Sequence, residues 1–136
     1  MRIIGIDYGS ARIGAALGDT ETRLATPWGV IQNHGDEAAA LEIVELCRRE
    51  GAEAVVIGIP RPLADPSRET EQAKTIRNFA SRITHQGMKV IEADETLSSA
   101  LAERQAAEMG EREKRDDLAA AAILQGYLDK RVTSDK

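Results

Sequence analysis

The chain has 136 residues, of which 42% are hydrophobic and 30% charged, a balance that is typical of a soluble globular domain and excludes intrinsic disorder. The net charge of −5, from 18 Lys and Arg against 23 Asp and Glu, argues against a protein that simply coats nucleic acid. A single cysteine, Cys47, excludes an intramolecular disulfide and a four-cysteine zinc site, and predicts a core position in a reducing, cytoplasmic compartment. We expect no membrane association, because no apolar run is long enough for a span or a signal peptide.

The first third of the chain predicts an antiparallel meander of three strands joined by short turns. These segments are rich in β-branched residues, and Gly5 would allow a neighbouring element to approach the first strand closely. The predicted strands span residues 2–7, 12–17 and 24–32.

The rest of the chain predicts strands that alternate with helices, and Asp36 is expected to cap the first helix. The continuous apolar run at 54–59 is typical of a central parallel strand that is buried on both faces. The remaining predicted elements are helices at 37–50, 69–86, 96–109 and 114–130 and a strand at 88–93. The predicted fold class is α/β, a single domain over residues 1–136 with a five-stranded mixed sheet flanked by helices.

Acidic residues follow two of the predicted strands. The first strand ends on Asp7, and Asp94 and Glu95 come directly after the fifth. Because the carboxyl ends of parallel strands share one edge of a sheet, these carboxylates are expected to meet there. Like charges at one edge repel each other unless a cation neutralises them, and a hard divalent ion suits oxygen ligands.

A third carboxylate is expected from the last helix, where Asp116 and Asp117 lie in the first turn. Asp116 shares a helical row with Ala120, Ile123 and Tyr127, which would carry it to the edge of the sheet if that row packs inward. Asp117 also has apolar residues along its row, so the periodicity leaves the choice between the two open.

Four blocks of sequence, spread over nearly the whole chain, resemble one family. They are GIDYGSARIG at 5–14, VIGIP at 56–60, DETLSS at 94–99 and KRDDLAA at 114–120, and they occur in the family's order. The resemblance is to the YqgF family, the RuvX-like nucleases that are similar to Holliday junction resolvases and have a ribonuclease H fold.

The resemblance implies a ribonuclease H-like sheet and hydrolysis of phosphodiester bonds with two Mg²⁺ or Mn²⁺ ions. It implies that the substrate is the precursor of the small-subunit ribosomal RNA, processed at its 5′ end, or branched DNA. The catalytic residues that it implies are Asp7, Glu95 and Asp116, and Asp94 joins these three as a metal ligand.

Contacts to nucleic acid are expected from basic residues near these blocks, namely Arg12, Arg61, Arg68, Lys74, Lys114 and Arg115. The chain departs from the family in two places: residues 61–68 form an atypical loop, and Thr96 stands where the family often has Arg. We expect the protein to act as a monomer or weak homodimer.

Two other functions are compatible with parts of the pattern. The turn after Asp7 also resembles the phosphate loop of the actin and sugar-kinase fold, but enclosing ATP requires two lobes and 136 residues supply one. A non-catalytic RNA-binding or transcription-associated module with the same fold is the second alternative. The acidic residues Asp7, Glu95 and Asp116 argue against it.

Overall fold

A computed structural model describes residues 1–60, 69–94 and 116–134, apart from the side chains of residues 94, 116 and 131–134. The described elements are β1 (Arg2–Asp7), β2 (Arg12–Asp19), β3 (Ala25–Gln32), α1 (Asp36–Glu50), β4 (Ala52–Ile59), α2 (Glu71–His85), β5 (Lys89–Asp94) and α3 (Asp116–Ser134). Their types and order confirm the sequence-based prediction. The helix predicted at 96–109 lies outside the described residues.

The strands form one mixed sheet in the order β3-β2-β1-β4-β5. β2 pairs antiparallel with both β1 and β3, whereas β4 pairs parallel with both β1 and β5. This is the predicted arrangement of three antiparallel strands followed by two parallel ones. It places β1 and β4 at the centre, with their carboxyl ends at the same edge.

Helices pack on both faces of the sheet, and this explains why the central strands are apolar at consecutive positions. On one face, α1 and α2 bury a cluster that includes Ile4, Ile6 and Cys47. On the other face, α3 buries a smaller cluster that includes Ile3 and Val56. The core position predicted for Cys47 is confirmed. Among the described helices, none is sufficiently long and apolar to cross a membrane.

α1 ends where the sequence predicts, but the residue that caps its start is different. Gly51 ends the helix in the left-handed region, with φ of 70°, and its N–H donates to the carbonyl oxygen of Cys47. The prediction that Asp36 caps the helix is wrong, because Gly35 is the N-cap and Asp36 is the first helical residue. The Asp36 carboxylate instead accepts a hydrogen bond from another part of the chain, described below.

Candidate active site

β1 is the central strand of the sheet and ends at Asp7. Asp7 pairs with Gly14 of the neighbouring strand β2. Alternate residues of a strand lie on the same face of a sheet. Because Ile3 packs in the cluster beneath α3, alternation places Asp7 on the α3 face, at the carboxyl end of the strand. The Asp7 side chain is partly exposed there.

α3 crosses the sheet in very close contact with β1 and β2. A Cβ atom added to Gly18 would lie 2.8 Å from Cδ2 of Leu124 and 3.3 Å from Cδ1 of Leu128. A Cβ atom added to Gly5 would lie 2.7 Å from Cβ of Leu124 and 3.0 Å from the carbonyl oxygen of Ala120. The two glycines therefore allow the backbones to approach closely, as predicted for Gly5.

These contacts also establish the direction of α3 relative to β1. Gly18 pairs with Ile3, so a step of two residues along β1 from Ile3 to Gly5 moves the contact one helical turn towards the start of α3. A further step of two residues reaches Asp7. The same progression brings the first turn of α3, at residues 116–117, to the level of Asp7.

Asp117 lies on the most buried row of α3. Asp117 is 6% exposed. The row continues through Ala120, Leu124 and Leu128, each of which is 0% exposed. The macrodipole of α3 favours a negative charge in this first turn, which offsets part of the cost of burial. The neighbouring row also packs inward, since Ile123 is 3% exposed and Tyr127 contacts the same cluster. The side chain of Asp116 lies outside the described residues, so its assignment stays a prediction.

The remaining predicted acids, Asp94 and Glu95, lie at and after the end of β5. Asp94 is the last residue of that strand and pairs with Ile59 at the end of β4. β4 separates β5 from β1, which puts the two backbones roughly 10 Å apart at the usual strand spacing. Glu95 lies outside the described residues. The backbone of Asp94 is therefore at the same edge as Asp7, as expected.

No group of three His, Cys, Asp or Glu side chains within metal-binding reach occurs among the residues that the structure describes. Of the predicted ligands, only Asp7 has a described side chain. The metal site stays a prediction, supported by the position of Asp7 and of the Asp94 backbone at the same edge of the sheet.

The basic residues fall into three groups. Arg12 begins β2 opposite Gln32 at the end of β3, and it is exposed close to the row of Asp7 and Gly14. Lys74 is 3.5 Å from the Glu71 carboxylate, an exposed pair on α2. The other predicted nucleic-acid contacts, Arg61, Arg68, Lys114 and Arg115, lie outside the described residues.

A hydrogen-bond network that is not apparent from the sequence holds the turn after Asp7. The Tyr8 hydroxyl donates to Oδ1 of Asp36 over 2.7 Å, and the Tyr8 ring lies on Phe79 with a centroid distance of 4.7 Å. Burial, together with the hydrogen bond and negative charge of Asp36, raises the pKa of Tyr8, so the hydroxyl stays a donor. No local sequence signal reveals this pair, because its members are 28 residues apart.

An open depression of about 420 Å³ lies elsewhere, between α2 and the edge strand β5. Its one arginine, Arg77, already pairs with Glu69 and with Glu92. A neutralised guanidinium is a poor anchor for a phosphate group. The depression is therefore a weaker candidate than the edge that carries Asp7.

Comparison with other sequences identifies the family of this chain. The RuvX family, described as Holliday junction resolvase, matches residues 1–130. A relative from Acidiphilium cryptum (strain JF-5), named "Putative pre-16S rRNA nuclease", is 40% identical over 134 residues that cover 94% of this chain and 84% of the relative. A relative of the same name from Endomicrobium trichonymphae is 37% identical over 142 residues and covers 99% of both chains.

Solved structures share the fold at low sequence identity. RuvC from T. thermophilus, in complex with a Holliday junction substrate, has a TM-score of 0.57 at 16% identity and covers 97% of this chain and 96% of that one. The large terminase nuclease of the thermophilic phage G20c has a TM-score of 0.60 at 12% identity, over 93% and 81% of the two chains. With a family match over 130 of 136 residues and relatives of similar length, the chain belongs to the RuvX family.

Proposed function

We propose that this chain is a nuclease that hydrolyses phosphodiester bonds in the precursor of 16S ribosomal RNA. The observation that supports the proposal most strongly is the close packing of α3 on Gly5, which brings the acidic first turn of α3 to the level of Asp7. The names of the full-length relatives supply the substrate class.

A divalent metal fits the donors at this edge. The candidate ligands Asp7, Glu95, Asp116 and Asp94 all offer carboxylate oxygens, the donors that Mg²⁺ and Mn²⁺ prefer. We propose two ions. When bound, such ions generate hydroxide at neutral pH and stabilise the leaving oxygen of a phosphate ester. The role of the chain's own carboxylates is to hold the positively charged ions at a defined edge of the sheet.

The substrate is expected to approach over the end of the sheet next to Asp7. In the sheet, Asp7 pairs with Gly14, which pairs with Val30, and Val30 is 40% exposed. The exposed Arg12 begins the neighbouring row and can contact a phosphate beside the scissile one. Because the chain carries a net charge of −5, metal binding must reduce the negative charge of the site before nucleic acid can dock.

Branched DNA is a second candidate substrate. The family description and the likeness of the fold to RuvC favour it. A purified full chain would be incubated with a 5′-extended 16S precursor RNA and with a four-way DNA junction, in Mg²⁺, Mn²⁺ or EDTA. We expect metal-dependent cleavage of the RNA; cleavage of the junction alone would assign the second substrate. Equal cleavage in EDTA would contradict a metal-dependent mechanism.

A matched pair of variants makes this test specific. Asp7→Asn should abolish cleavage of either substrate. Asp19→Asn makes the same chemical change at the opposite end of the sheet, where Asp19 pairs with Arg2, and should keep full activity. If both variants cleave normally, Asp7 is not a catalytic residue. If the wild-type chain cleaves neither substrate, the chain is the non-catalytic module that the fold would also allow.

The cell compartment and the oligomeric state are part of the same proposal. Processing of ribosomal RNA would place the chain in the cytoplasm, and the single buried Cys47 fits a reducing compartment. We propose a monomer or weak homodimer, which sedimentation at several concentrations would test.

A further inference from the structure

The turn after Asp7 is held by a second turn that comes from a distant part of the chain. This second turn, residues 33–36, connects β3 to α1 and is named the anchor turn here. The Asn33 N–H donates to the carbonyl oxygen of Ala11 over 3.0 Å. Nδ2 of Asn33 donates to the carbonyl oxygen of Gly9 over 3.0 Å. The anchor turn therefore binds the backbone of the β1–β2 turn at two points.

Tyr8 provides a third point of attachment. Its hydroxyl donates to Oδ1 of Asp36 in the anchor turn, and its ring packs on Phe79 of α2. Tyr8 follows the last residue of β1 and packs against the cluster that α1 and α2 bury, whereas alternation along β1 places Asp7 on the opposite face of the sheet. Tyr8 is thus fixed on the α1 and α2 face while Asp7 is presented on the α3 face.

The anchor turn is itself held by internal hydrogen bonds. Oδ1 of Asn33 accepts from the N–H of Gly35 over 3.0 Å, and Nδ2 of Asn33 is 3.5 Å from Oδ1 of Asp36. Gly35 has φ of 126°, a region that favours glycine. In the β1–β2 turn, position 9 has no space for a side chain, because a Cβ atom at Gly9 would run into the carbonyl oxygen of Arg12.

We propose that the anchor turn, through Tyr8 and Asp36, is the positioning element of the active site and determines the geometry with which Asp7 holds a metal ion. The inference rests on the proposed function, since it assumes that Asp7 is a metal ligand. Residues that orient a metal ligand affect metal affinity by about 10- to 100-fold when they are removed. Tyr8 and Asp36 are positioning residues and touch neither metal nor substrate.

Tyr8→Phe tests the proposal, because it removes only the hydroxyl and keeps the ring on Phe79. We expect the half-saturating Mn²⁺ concentration, measured by calorimetry on the full chain, to rise about 10-fold. Cleavage at limiting Mn²⁺ should fall in parallel, and the backbone amides of residues 7–12 should exchange hydrogen faster. Asp36→Ala should have the same effects, and the double variant should be no worse than either single variant.

Two further variants separate positioning from lost stability. Asp36→Asn keeps an acceptor for the Tyr8 hydroxyl and should restore most of the Mn²⁺ affinity that Asp36→Ala loses. Ile83→Val shortens a fully buried side chain in the last turn of α2 and serves as the control for thermal stability. It should melt earlier than wild type, as we also expect of Tyr8→Phe, but keep wild-type Mn²⁺ affinity.

The outcomes are distinguishable. Wild-type Mn²⁺ affinity and amide exchange in Tyr8→Phe would overturn the positioning role, and so would an equal loss of affinity in Ile83→Val. A wild-type chain that neither binds Mn²⁺ nor cleaves would overturn the proposed function itself, and that failure appears before any variant is compared.

Discussion

Leu124 of α3 lies so close to Gly5 of β1 that a Cβ atom at position 5 would be 2.7 Å from the Leu124 Cβ atom. Real Cβ atoms do not approach this closely, so only glycine allows the observed distance between helix and strand. The contacts of α3 at Gly18 and Gly5 progress towards Asp7, so the acidic first turn of this closely packed helix lies at the level of Asp7. The contact therefore links the packing of the core to the chemistry of the edge.

Gly5→Ala should damage both stability and cleavage. The added methyl group meets a Cβ atom and the carbonyl oxygen of Ala120, neither of which can rotate away, so α3 must shift. Overpacking of this kind costs about 1–3 kcal/mol in the free energy of unfolding, and the shift moves the first turn of α3 away from Asp7. Urea unfolding and a cleavage assay on the same preparation measure the two effects.

Gly51→Ala is the matched control for that variant. Gly51 has φ of 70° with open space around it, so alanine there costs roughly 1 kcal/mol through backbone strain and leaves α3 in place. It should unfold more easily and still cleave at the wild-type rate. Normal stability and normal cleavage in Gly5→Ala would show that the close approach of α3 is not required.

Asp116 and Asp117 should differ in their effects on cleavage. The family block aligns with Asp116, whereas Asp117 is 6% exposed, which leaves little space for the water and substrate oxygens that Mg²⁺ keeps in its shell. Asp116→Asn should therefore abolish cleavage with little change in melting temperature. Asp117→Asn should keep most of the cleavage and change the melting temperature instead. The reverse pattern in the two assays would assign the metal ligand to Asp117.

The meander, the two parallel strands and the order of the helices could be predicted because they depend on local patterns. The apolar run at 54–59, for example, indicates a strand buried on both faces without any knowledge of its partners. Gly5 was also informative, since a glycine inside an apolar strand indicates a close neighbour. Carboxylates at strand ends indicated the edge of the sheet that carries Asp7.

The network around Asp7 could not be predicted, because it joins residues that are distant in the chain. Asp36 next to a helix start favours a cap by local rules, but in the folded protein its carboxylate accepts from Tyr8. The buried row of α3 was ambiguous for a similar reason. Residues beneath both Asp116 and Asp117 are apolar, and only the packing on Gly5 and Gly18 shows that Asp117 heads the most buried row.

Cys47 should be unreactive in the folded chain. Burial raises the pKa of its thiol from the ordinary value of 9.0 to about 11, and the side chain is 0% exposed. Iodoacetamide at pH 8 should therefore modify Cys47 only after the chain is unfolded in urea, and mass spectrometry measures the difference. Rapid labelling of the native chain would contradict a closed core beneath α1.

The same thiol gives stability a defined pH dependence. Between pH 9 and about 11 the unfolded thiol ionises while the folded one stays neutral, so the unfolded state binds fewer protons. This contribution to stability is complete below pH 9 and is lost as the pH rises towards 11. Cys47→Ala should lack that part of the alkaline loss in urea unfolding experiments, and an unchanged pH profile would contradict the raised pKa.

The most direct test of Asp7 as a metal-binding carboxylate is thermal melting of wild type and Asp7→Asn, each with EDTA and with saturating Mg²⁺. We expect Asp7 to lie near the acids of α3, so removing its charge in the absence of metal should relieve repulsion, and the variant should melt no earlier than wild type. Ligand at 100 times its dissociation constant stabilises a folded protein by about 2.7 kcal/mol, and Asp7→Asn should gain clearly less from Mg²⁺ than wild type or Asp19→Asn. A variant that melts earlier in EDTA, gains as much from Mg²⁺ and still cleaves RNA would show that Asp7 only supports the turn, and would contradict the assignment of the active site.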